Sequence, residues 1–431
     1  MEKILVIAYY FPPCRGVASY RPESWKRDFP KYGLSPTFIT RHWTGTENVW
    51  TDYLEDLIAD EKITSCENSV TINLPYKRNK YLVFAEKKWV RKLYLDKFIY
   101  FSSAILGNYQ LDVDAYNCFK EYVFKHLESN KYKLVIVTSP PLNVIKLAYE
   151  INKKFQIPFV VDFQDSWNNL MLIDNYNPGL KEKFYNKVKE FYLKKWLAPA
   201  LFATTVTPAI SNFIKKVSNK PIEIITNGYD KDAYGLNETK PSDLFFNVSV
   251  MGTVHPMQDI SIMLSGLNLF LKDKDPKKVK LNFIGIDAVP EMANEVRNSI
   301  PHNFLFTSSR VSMEQSVNLT LAANVLLFPS YKGYKGYYTA KIFEYLGAKK
   351  NILMVPGNND IVDELILKTQ SGKIANSENE FSDILNNWYK EWESTGTLKF
   401  NGINENIEFY SRENQNKMFC ELISKMILKN D

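Results

Sequence analysis

The sequence predicts an α/β protein with two domains, each a parallel β-sheet covered by helices on both faces. Its strand candidates, such as KILVIAYYF and NVLLFPS, are continuous apolar runs, which are typical of strands buried on both faces. These runs alternate with helical segments along the chain, as expected where a crossover helix joins parallel strands. The length of 431 residues is sufficient for two ordinary domains.

The first set of strands lies in residues 1–225, which we predict to form the N-terminal domain. Its strand candidates are KILVIAYYF, SPTFIT, YKLVIVTS, IPFVVDFQDSW, LFATTVTP and IEIITNG. The first of these is short and ends at Pro-Pro, so it is predicted to be a β-strand rather than a secretion signal.

The second set of strands lies in residues 245–404, after a polar linker predicted at 226–244. Its strand candidates are FFNVSVMGTV, VKLNFIGI, NFLFTS, NVLLFPS and NILMVP. A final helix, at about 405–431, is predicted to pack back on the first domain. The pattern therefore predicts two Rossmann-like domains that face each other across a cleft.

Composition excludes several classes of protein. Hydrophobic residues make up 45% and charged residues 24%, as in ordinary globular proteins. The four cysteines are scattered without a CxxC motif, which favours a reducing cytoplasm, and the four histidines form no metal-binding motif. No apolar run approaches the ~18 residues needed to cross a bilayer. Asp112 and Asp114 precede a helical pattern, so we expect them to cap a helix rather than bind a metal.

A basic and aromatic segment occupies residues 76–109. Eight basic residues oppose only Glu86 and Asp96, so this segment has a formal charge of +6, and large aromatic residues are interleaved with the charges. The mixture suits the surface of an anionic membrane. A second such stretch lies at 181–199. Two solvated amphipathic helices whose aromatics pack on the core remain the alternative. Nucleic acid is not an expected partner, because no binding motif accompanies the charge.

Several polar or glycine-containing turns follow the predicted strands. Ligands bind beyond the carboxyl ends of parallel strands, so these turns supply the candidate binding residues. The candidates are Gly16, Asp162, Asp165, Asn227, Gly252, Thr253, Arg310 and Val311.

The stretch KGYKGYYTAKIFEYLGAKK, residues 332–350, combines a glycine loop with a helix that is predicted to begin at Thr339. Gly333 and Gly336 are expected to let this loop turn its amides toward a ligand. Lys341 then lies in the first turn, where a cation is mildly unfavourable. A diphosphate bound by the free N–H groups of the helix would explain the lysine. Glu344 shares the helix face with Lys341 and could accept hydrogen bonds from two ribose hydroxyls. The alternative is a surface ion pair between these two residues.

With these motifs the chain resembles the bacterial retaining glycosyltransferases of the GT-B fold often called family 4. The resemblance rests on YYFPPCRGVASYR, VDFQDSW, IITNGYD and TAKIFEYLGAKKNILMVPG. It implies that the second domain binds a nucleoside diphosphate sugar and the first domain binds the acceptor. It further implies that Glu344 binds the ribose, that Arg310 and Val311 meet the base, and that Lys341 binds the diphosphate together with the amides of Tyr338, Thr339 and Ala340.

Three positions depart from the family pattern. Gly336 replaces the first of two family glutamates, which leaves the sugar contact to Tyr337, Tyr338 or a lysine. The basic pair after the first strand of the second domain is replaced by Thr253, His255 and Gln258. Gln164 stands where related sequences often have arginine.

The resemblance implies metal-independent sugar transfer with retention, without a cofactor beside the donor. Lys341 and Asp165 are then the catalytic candidates, with Asp162 as a second choice for orienting the substrate. The expected acceptor is a saccharide or lipid-linked saccharide of bacterial surface polysaccharide synthesis, such as lipopolysaccharide or capsule. The expected location is the cytoplasm, at the inner face of the plasma membrane. A nucleotide-sugar 2-epimerase and a non-catalytic partner of the same fold remain alternatives.

Overall fold

The chain divides into two compact units in the computed structural model, which describes residues 1–47, 50–107, 113–168, 172–235 and 244–427. Unit 1 comprises Met1–Met171, Asn175–Thr226 and Gln415–Asp431, and unit 2 comprises Leu172–Asp174 and Asn227–Asn414. The chain thus returns to unit 1 at Gln415, later than the predicted 405. The short crossing of 172–174 into unit 2 has no signal in the sequence.

Unit 1 contains an eight-stranded sheet in the order β3-β4-β2-β1-β5-β6-β7-β8. Its strands are β1 (Glu2–Ile7), β2 (Leu34–Arg41), β3 (Lys62–Cys66), β4 (Ser69–Leu74), β5 (Leu134–Ser139), β6 (Phe159–Phe163), β7 (Phe202–Thr205) and β8 (Ile222–Ile224). All six predicted strands are confirmed. The hairpin of β3 and β4, the antiparallel pair of this sheet, was missed because β3 is wholly exposed and has no apolar run.

The helices of unit 1 cover both faces of its sheet. They are α1 (Tyr20–Asp28), α2 (Lys80–Ala85), α3 (Lys88–Lys92), α4 (Leu95–Ile105), α5 (Ala115–Ser129), α6 (Asn143–Phe155), α7 (Leu180–Leu197) and α8 (Pro208–Lys215). Asp114 caps α5 by accepting a hydrogen bond from the amide of Asn117 at 3.0 Å, which confirms its predicted role. Asp112 lies outside the described residues.

Unit 2 contains a six-stranded, fully parallel sheet in the order β11-β10-β9-β12-β13-β14. Its strands are β9 (Phe246–Met251), β10 (Val279–Ile284), β11 (Leu305–Ser308), β12 (Val325–Pro329), β13 (Asn351–Val355) and β14 (Gly372–Ile374). Five were predicted, and β14 was missed because its sequence GKI has a single large apolar residue. The helices are α9 (Lys231–Gly235), α10 (Ser261–Leu271), α11 (Pro290–Ser299), α12 (Met313–Leu321), α13 (Ala340–Ala348), α14 (Ile361–Thr369), α15 (Glu378–Thr395) and α16 (Asn404–Glu408).

The last helix, α17 (Arg412–Ile427), packs on α1 of unit 1 from Gln415 onward. The side-chain amide of Asn416 donates to Asp28 at 2.8 Å, and Phe419 contacts the rings of Trp25 and Phe29. The prediction that a C-terminal helix packs on the first domain is confirmed. The residues of α16, predicted as part of that helix, form a separate helix in unit 2.

The strand order reverses once in each sheet, between β1 and β5 in unit 1 and between β9 and β12 in unit 2. Loops at such a reversal diverge to opposite faces of the sheet and leave a crevice at its carboxyl edge. In unit 2 these loops follow β9 and β12, and they contain Gly252 and the glycine loop of 332–339. The topology therefore places two of the predicted motifs together.

The basic and aromatic segment folds as α2, α3 and α4. Trp89, Tyr94 and Phe98 are 51%, 67% and 67% exposed, so they do not pack on the core. Helix α4 contacts α7, the second basic and aromatic stretch, through Phe101 and Phe184, whose rings stack at 5.7 Å. We call the exposed surface of α2, α3, α4 and α7 the basic-aromatic face. Residues 108 and 109 of the predicted segment lie outside the described residues. Among the helices of the described chain, none is long and apolar enough to cross a membrane.

Candidate functional site

The beginning of α13 has unpaired hydrogen-bonding groups. Thr339 is the N-cap with extended backbone, but its side chain makes no capping hydrogen bond, and its buried Oγ1 has no partner among the described residues. The amides of Tyr338, Thr339 and Ala340 likewise have no acceptor in the described part of the chain. Free amides at the positive end of a helix form an anion-binding site. The predicted start of the helix at Thr339 is confirmed.

Tyr345 fixes α13 at the point where the strand order reverses. Its hydroxyl accepts a hydrogen bond from the amide of Met251 at 2.9 Å and donates to the carbonyl of Leu327 at 3.3 Å. Met251 ends β9 and Leu327 lies in β12. The two strands at the reversal therefore position the anion-binding end of the helix.

The glycine loop before α13 uses its own amides to hold its shape. Gly333 and Gly336 have φ of +71° and +70°, which only glycine adopts easily. The amide of Gly336 donates to Asp360 at 2.6 Å, and the loop pairs with the crossing segment 172–174. The prediction that the Gly336 amide faces a ligand is thus corrected. The ring of Tyr337 lies against neighbouring tyrosines of the same loop.

Lys341 reaches from α13 to the turn after β9. Its ammonium donates to the carbonyl of Thr253, and a Cβ added at Gly252 would lie only 2.7 Å from its Cε. Gly252 also has φ of +76°, so its backbone conformation favours glycine there. Burial lowers the pKa of Lys341 to about 8, against the opposing attraction of Glu344. A partly dehydrated ammonium without a carboxylate contact suits an anionic ligand.

Glu344 lies beside Lys341 and is half-buried. Burial raises the pKa of Glu344, while the charges of Arg412 and Lys341 act in the opposite direction. No hydrogen-bond donor of the described residues pairs with this carboxylate, so its oxygens are available to hydroxyl groups. Sequence reasoning missed Arg412, because nothing in the chain indicates that it lies near a residue 68 positions earlier.

The predicted base-binding turn lies near the same site. Arg310 is exposed after β11, and Val311 packs against the core cluster that includes α13. Burial, with the charges of Lys341 and Arg310, lowers the pKa of His255 and so favours a neutral imidazole near these two cations. We call the first turn of α13 together with Lys341, Glu344 and the turn after β9 the anion cradle.

Two residues that the sequence offered for ligand binding, Gln258 and Asn227, have other roles or positions in the structure. Gln258 is buried, where its side chain accepts from the amide of His255 at 2.9 Å and donates to the carbonyl of Pro329 at 2.7 Å. Asn227 begins unit 2 next to Gly228, and a Cβ at Gly228 would lie 2.5 Å from a backbone oxygen in segment 410–412. No described contact joins Asn227 to the anion cradle.

In unit 1, Asp162 is a buried structural residue, which corrects its prediction as a substrate ligand. It is 0% exposed in β6, and both of its oxygens accept from Arg21, at 2.8 and 3.0 Å. Thr204 donates to one of them at 2.7 Å. The remaining Arg21 nitrogen donates to two backbone carbonyls at the end of β8. This network ties three elements of the sheet together and leaves no carboxylate oxygen for a substrate.

Asp165 is half-buried in the turn after β6, two residues beyond the strand. Its neighbour Gln164 donates to the carbonyl of Ala18 at 3.2 Å and so connects this turn to the loop after β1 that contains Gly16. At Gly16 φ is −68° and an added Cβ would come no closer than 3.5 Å to other atoms, so glycine is not required there. Because Asp162 is held in a buried ion pair, Asp165 remains the acidic candidate for contact with a substrate in unit 1.

Comparisons with known proteins identify the fold of the chain. No protein-family model and no curated protein sequence matches the chain significantly. Sucrose-phosphate synthase from Thermosynechococcus elongatus superimposes over 100% of both chains with a TM-score of 0.64 at 13% identity. A glycosyltransferase from Rickettsia africae covers 100% of this chain and 99% of its own, with a TM-score of 0.60 at 13% identity. The chain has the GT-B fold.

A third GT-B structure, HepE from Anabaena in complex with UDP and glucose, covers 99% of this chain and 100% of its own, with a TM-score of 0.59 at 12% identity. Identities this low establish the fold alone. The site residues therefore have to be judged from the geometry of this chain.

Proposed function

We propose that this GT-B chain is a glycosyltransferase that uses a nucleoside diphosphate sugar as donor. The observation that supports it most is the anion cradle, in which free amides, the unpaired Thr339 hydroxyl and Lys341 converge beside an unpaired Glu344. A diphosphate fits the amides and the ammonium. The ribose hydroxyls fit Glu344, and the base fits the turn at Arg310 and Val311.

In the proposed reaction, the bond between the anomeric carbon and the diphosphate breaks while the amides and Lys341 stabilise the developing negative charge. The acceptor oxygen forms the new bond to that carbon, and the hydroxyl proton passes to an oxygen of the leaving diphosphate. Tyr337 and Tyr338 are candidates for contact with the sugar, because Gly336 has no side chain. Asp165 orients the acceptor hydroxyl, which attacks with retention, as in the resembling family 4 enzymes.

The experiment that tests this proposal is thermal stabilisation of the protein by UDP, GDP, dTDP, ADP and CMP. One nucleotide is expected to raise Tm, and Glu344→Ala should abolish the increase, because hydrogen bonds to a charged group contribute roughly 1.5–3 kcal/mol each. Glu295→Ala, which removes an exposed carboxylate of α11 outside the anion cradle, is the control. No increase with any nucleotide would favour the non-catalytic alternative. Product formed without any acceptor would favour the epimerase.

We further propose that turnover needs neither a metal nor a cofactor beside the donor. In the described chain, no group of three or more His, Cys, Asp or Glu side chains is placed to bind a metal ion. Lys341 and the helix amides would supply the charge that a metal supplies in other transferases. Turnover should therefore be unchanged by EDTA, whereas loss of activity that Mn²⁺ restores would contradict the proposal.

We also propose that the acceptor is a saccharide or lipid-linked saccharide of bacterial surface polysaccharide synthesis, met at the inner face of the plasma membrane. The exposed aromatics of the basic-aromatic face support this location, since rings enter the lipid interface and lysines meet anionic headgroups. Vesicles that contain phosphatidylglycerol should sediment the wild type. A variant with Lys87, Lys88, Arg91 and Lys92 changed to Glu should remain in the supernatant, and equal sedimentation of both proteins would exclude the idea.

A further inference from the structure

Unit 1 contains a cavity of about 490 Å³ between the turn after β6, helix α7 and helix α8. This volume lies in the ordinary range for small-molecule sites. Glu182 holds its wall in place, because it accepts hydrogen bonds from the side-chain amide of Asn168 at 2.6 Å and from the hydroxyl of Tyr176. The cavity is separate from the anion cradle, which belongs to unit 2.

One part of the cavity wall is apolar. Trp167 and Phe213 meet edge to face with ring centroids 6.1 Å apart, and Leu180 and Phe184 line the opposite helix. Leu180 and Phe184 are 87% and 43% exposed, although large apolar side chains are normally covered. These groups fit a hydrocarbon chain.

The rest of the wall is positively charged. Lys183, Lys187 and Lys216 line the cavity, and Glu190 is the single acidic residue among its lining residues. The ammonium of Lys216 lies 4.7 Å from the ring centroid of Phe213, so charge and apolar surface are adjacent. Because the lining has an excess of positive charge, the polar end of a ligand should be anionic.

The position of the cavity indicates which anionic amphiphile it accepts. Phe184 both lines the cavity and stacks on Phe101, so the cavity adjoins the basic-aromatic face. Ser166, another lining residue, directly follows Asp165, the proposed acceptor-orienting acid. A ligand in this cavity would therefore lie between the basic-aromatic face and the turn that carries Asp165.

We propose that the cavity binds a phosphate ester of a long apolar alcohol, with the hydrocarbon against Trp167 and Phe213 and the phosphate on Lys183 and Lys187. This inference deepens the proposed function and rests on it in one respect, which is that the bound lipid is part of the acceptor. The binding itself can be measured without donor, metal or turnover.

The test is titration calorimetry with farnesyl phosphate as the probe, below its aggregation concentration. Farnesyl phosphate should bind, while farnesol and inorganic phosphate should each bind at least ~10-fold more weakly, because each lacks one of the two contacts. Dihexanoyl phosphatidylglycerol distinguishes a general headgroup site from a site for phosphate monoesters, and it should also bind more weakly. Equal binding of farnesol or of phosphatidylglycerol would overturn the proposal.

Variants on α7 complete the test. The double variant Lys183→Gln/Lys187→Gln should lose about tenfold or more in affinity for farnesyl phosphate, since two charge-assisted contacts are removed. The matched control Lys194→Gln/Lys195→Gln changes two exposed lysines of the same helix outside the cavity and should bind as the wild type does. Equal affinity of the two variants would overturn the proposal. Nucleotide stabilisation, measured in both, reports separately on the proposed donor site.

Discussion

Replacing Lys341 with methionine should lower kcat/KM by about 10²–10³-fold, the usual effect of removing one electrostatic stabiliser of a leaving group. The side chain of methionine occupies similar volume, so the space beside Gly252 stays filled. The ammonium is lost, and the diphosphate that forms is then stabilised by amides alone. Lys272→Met, at an exposed lysine that follows α10 outside the anion cradle, is the control and should retain turnover. An unchanged rate in Lys341→Met would remove this residue from the mechanism.

The same variant has a pH signature in the absence of nucleotide. The pKa of Lys341 is lowered to about 8 in the fold from its usual 10.5, so between these values the unfolded chain binds more protons. Stability should therefore rise with pH across this window, and Lys341→Met should lack that part of the increase. Urea unfolding of both proteins at pH 7.5 and 9.5 measures this change in the free energy of unfolding.

A bound diphosphate should restore the proton to Lys341, because an adjacent anion favours the charged ammonium. At about pH 8.5, nucleotide binding should therefore take up a proton in the wild type and none in Lys341→Met. Calorimetry in two buffers of different ionisation enthalpy gives the number of protons taken up on binding. Equal proton uptake by the two proteins would show that another group is responsible.

Asp162→Ala should destabilise the protein by about 3–5 kcal/mol, because it leaves the Arg21 guanidinium buried without its counter-charge. Arg21 is 6% exposed and cannot reach solvent without disturbing the sheet. The double variant Arg21→Met/Asp162→Leu should recover much of the loss, since it removes both charges and fills the space. Midpoints of urea unfolding measure the effect.

Asp165→Asn, three positions along, is the matched variant. Its half-buried position in a turn predicts a smaller loss of stability than at Asp162, together with reduced turnover. If Asp162→Ala were as stable as the wild type, the ion pair with Arg21 would not explain why an aspartate is buried at position 162. If Asp165→Asn retained full turnover, unit 1 would need another residue to orient the acceptor.

The sequence by itself determined the fold class, because continuous apolar runs are local and each predicts its own strand. It also determined the start of α13 at Thr339 and the shared face of Lys341 and Glu344, since both follow from helical periodicity. It failed for β3, β4 and β14, whose sequences lack a continuous apolar run. It could not show that the Gly336 amide is already bonded.

Only the tertiary structure decided which polar residues are structural and which are available to a ligand. Asp162 lies in β6 and Asp165 in the turn after it, but Arg21, 141 positions from Asp162 in the chain, makes Asp162 a buried ion-pair partner. The proximity of Arg412 to Glu344 and the assembly of the cavity from three separate elements likewise depend on contacts between distant segments. Local pattern cannot encode such contacts, because burial and charge pairing arise only when the sheet and its helices pack together.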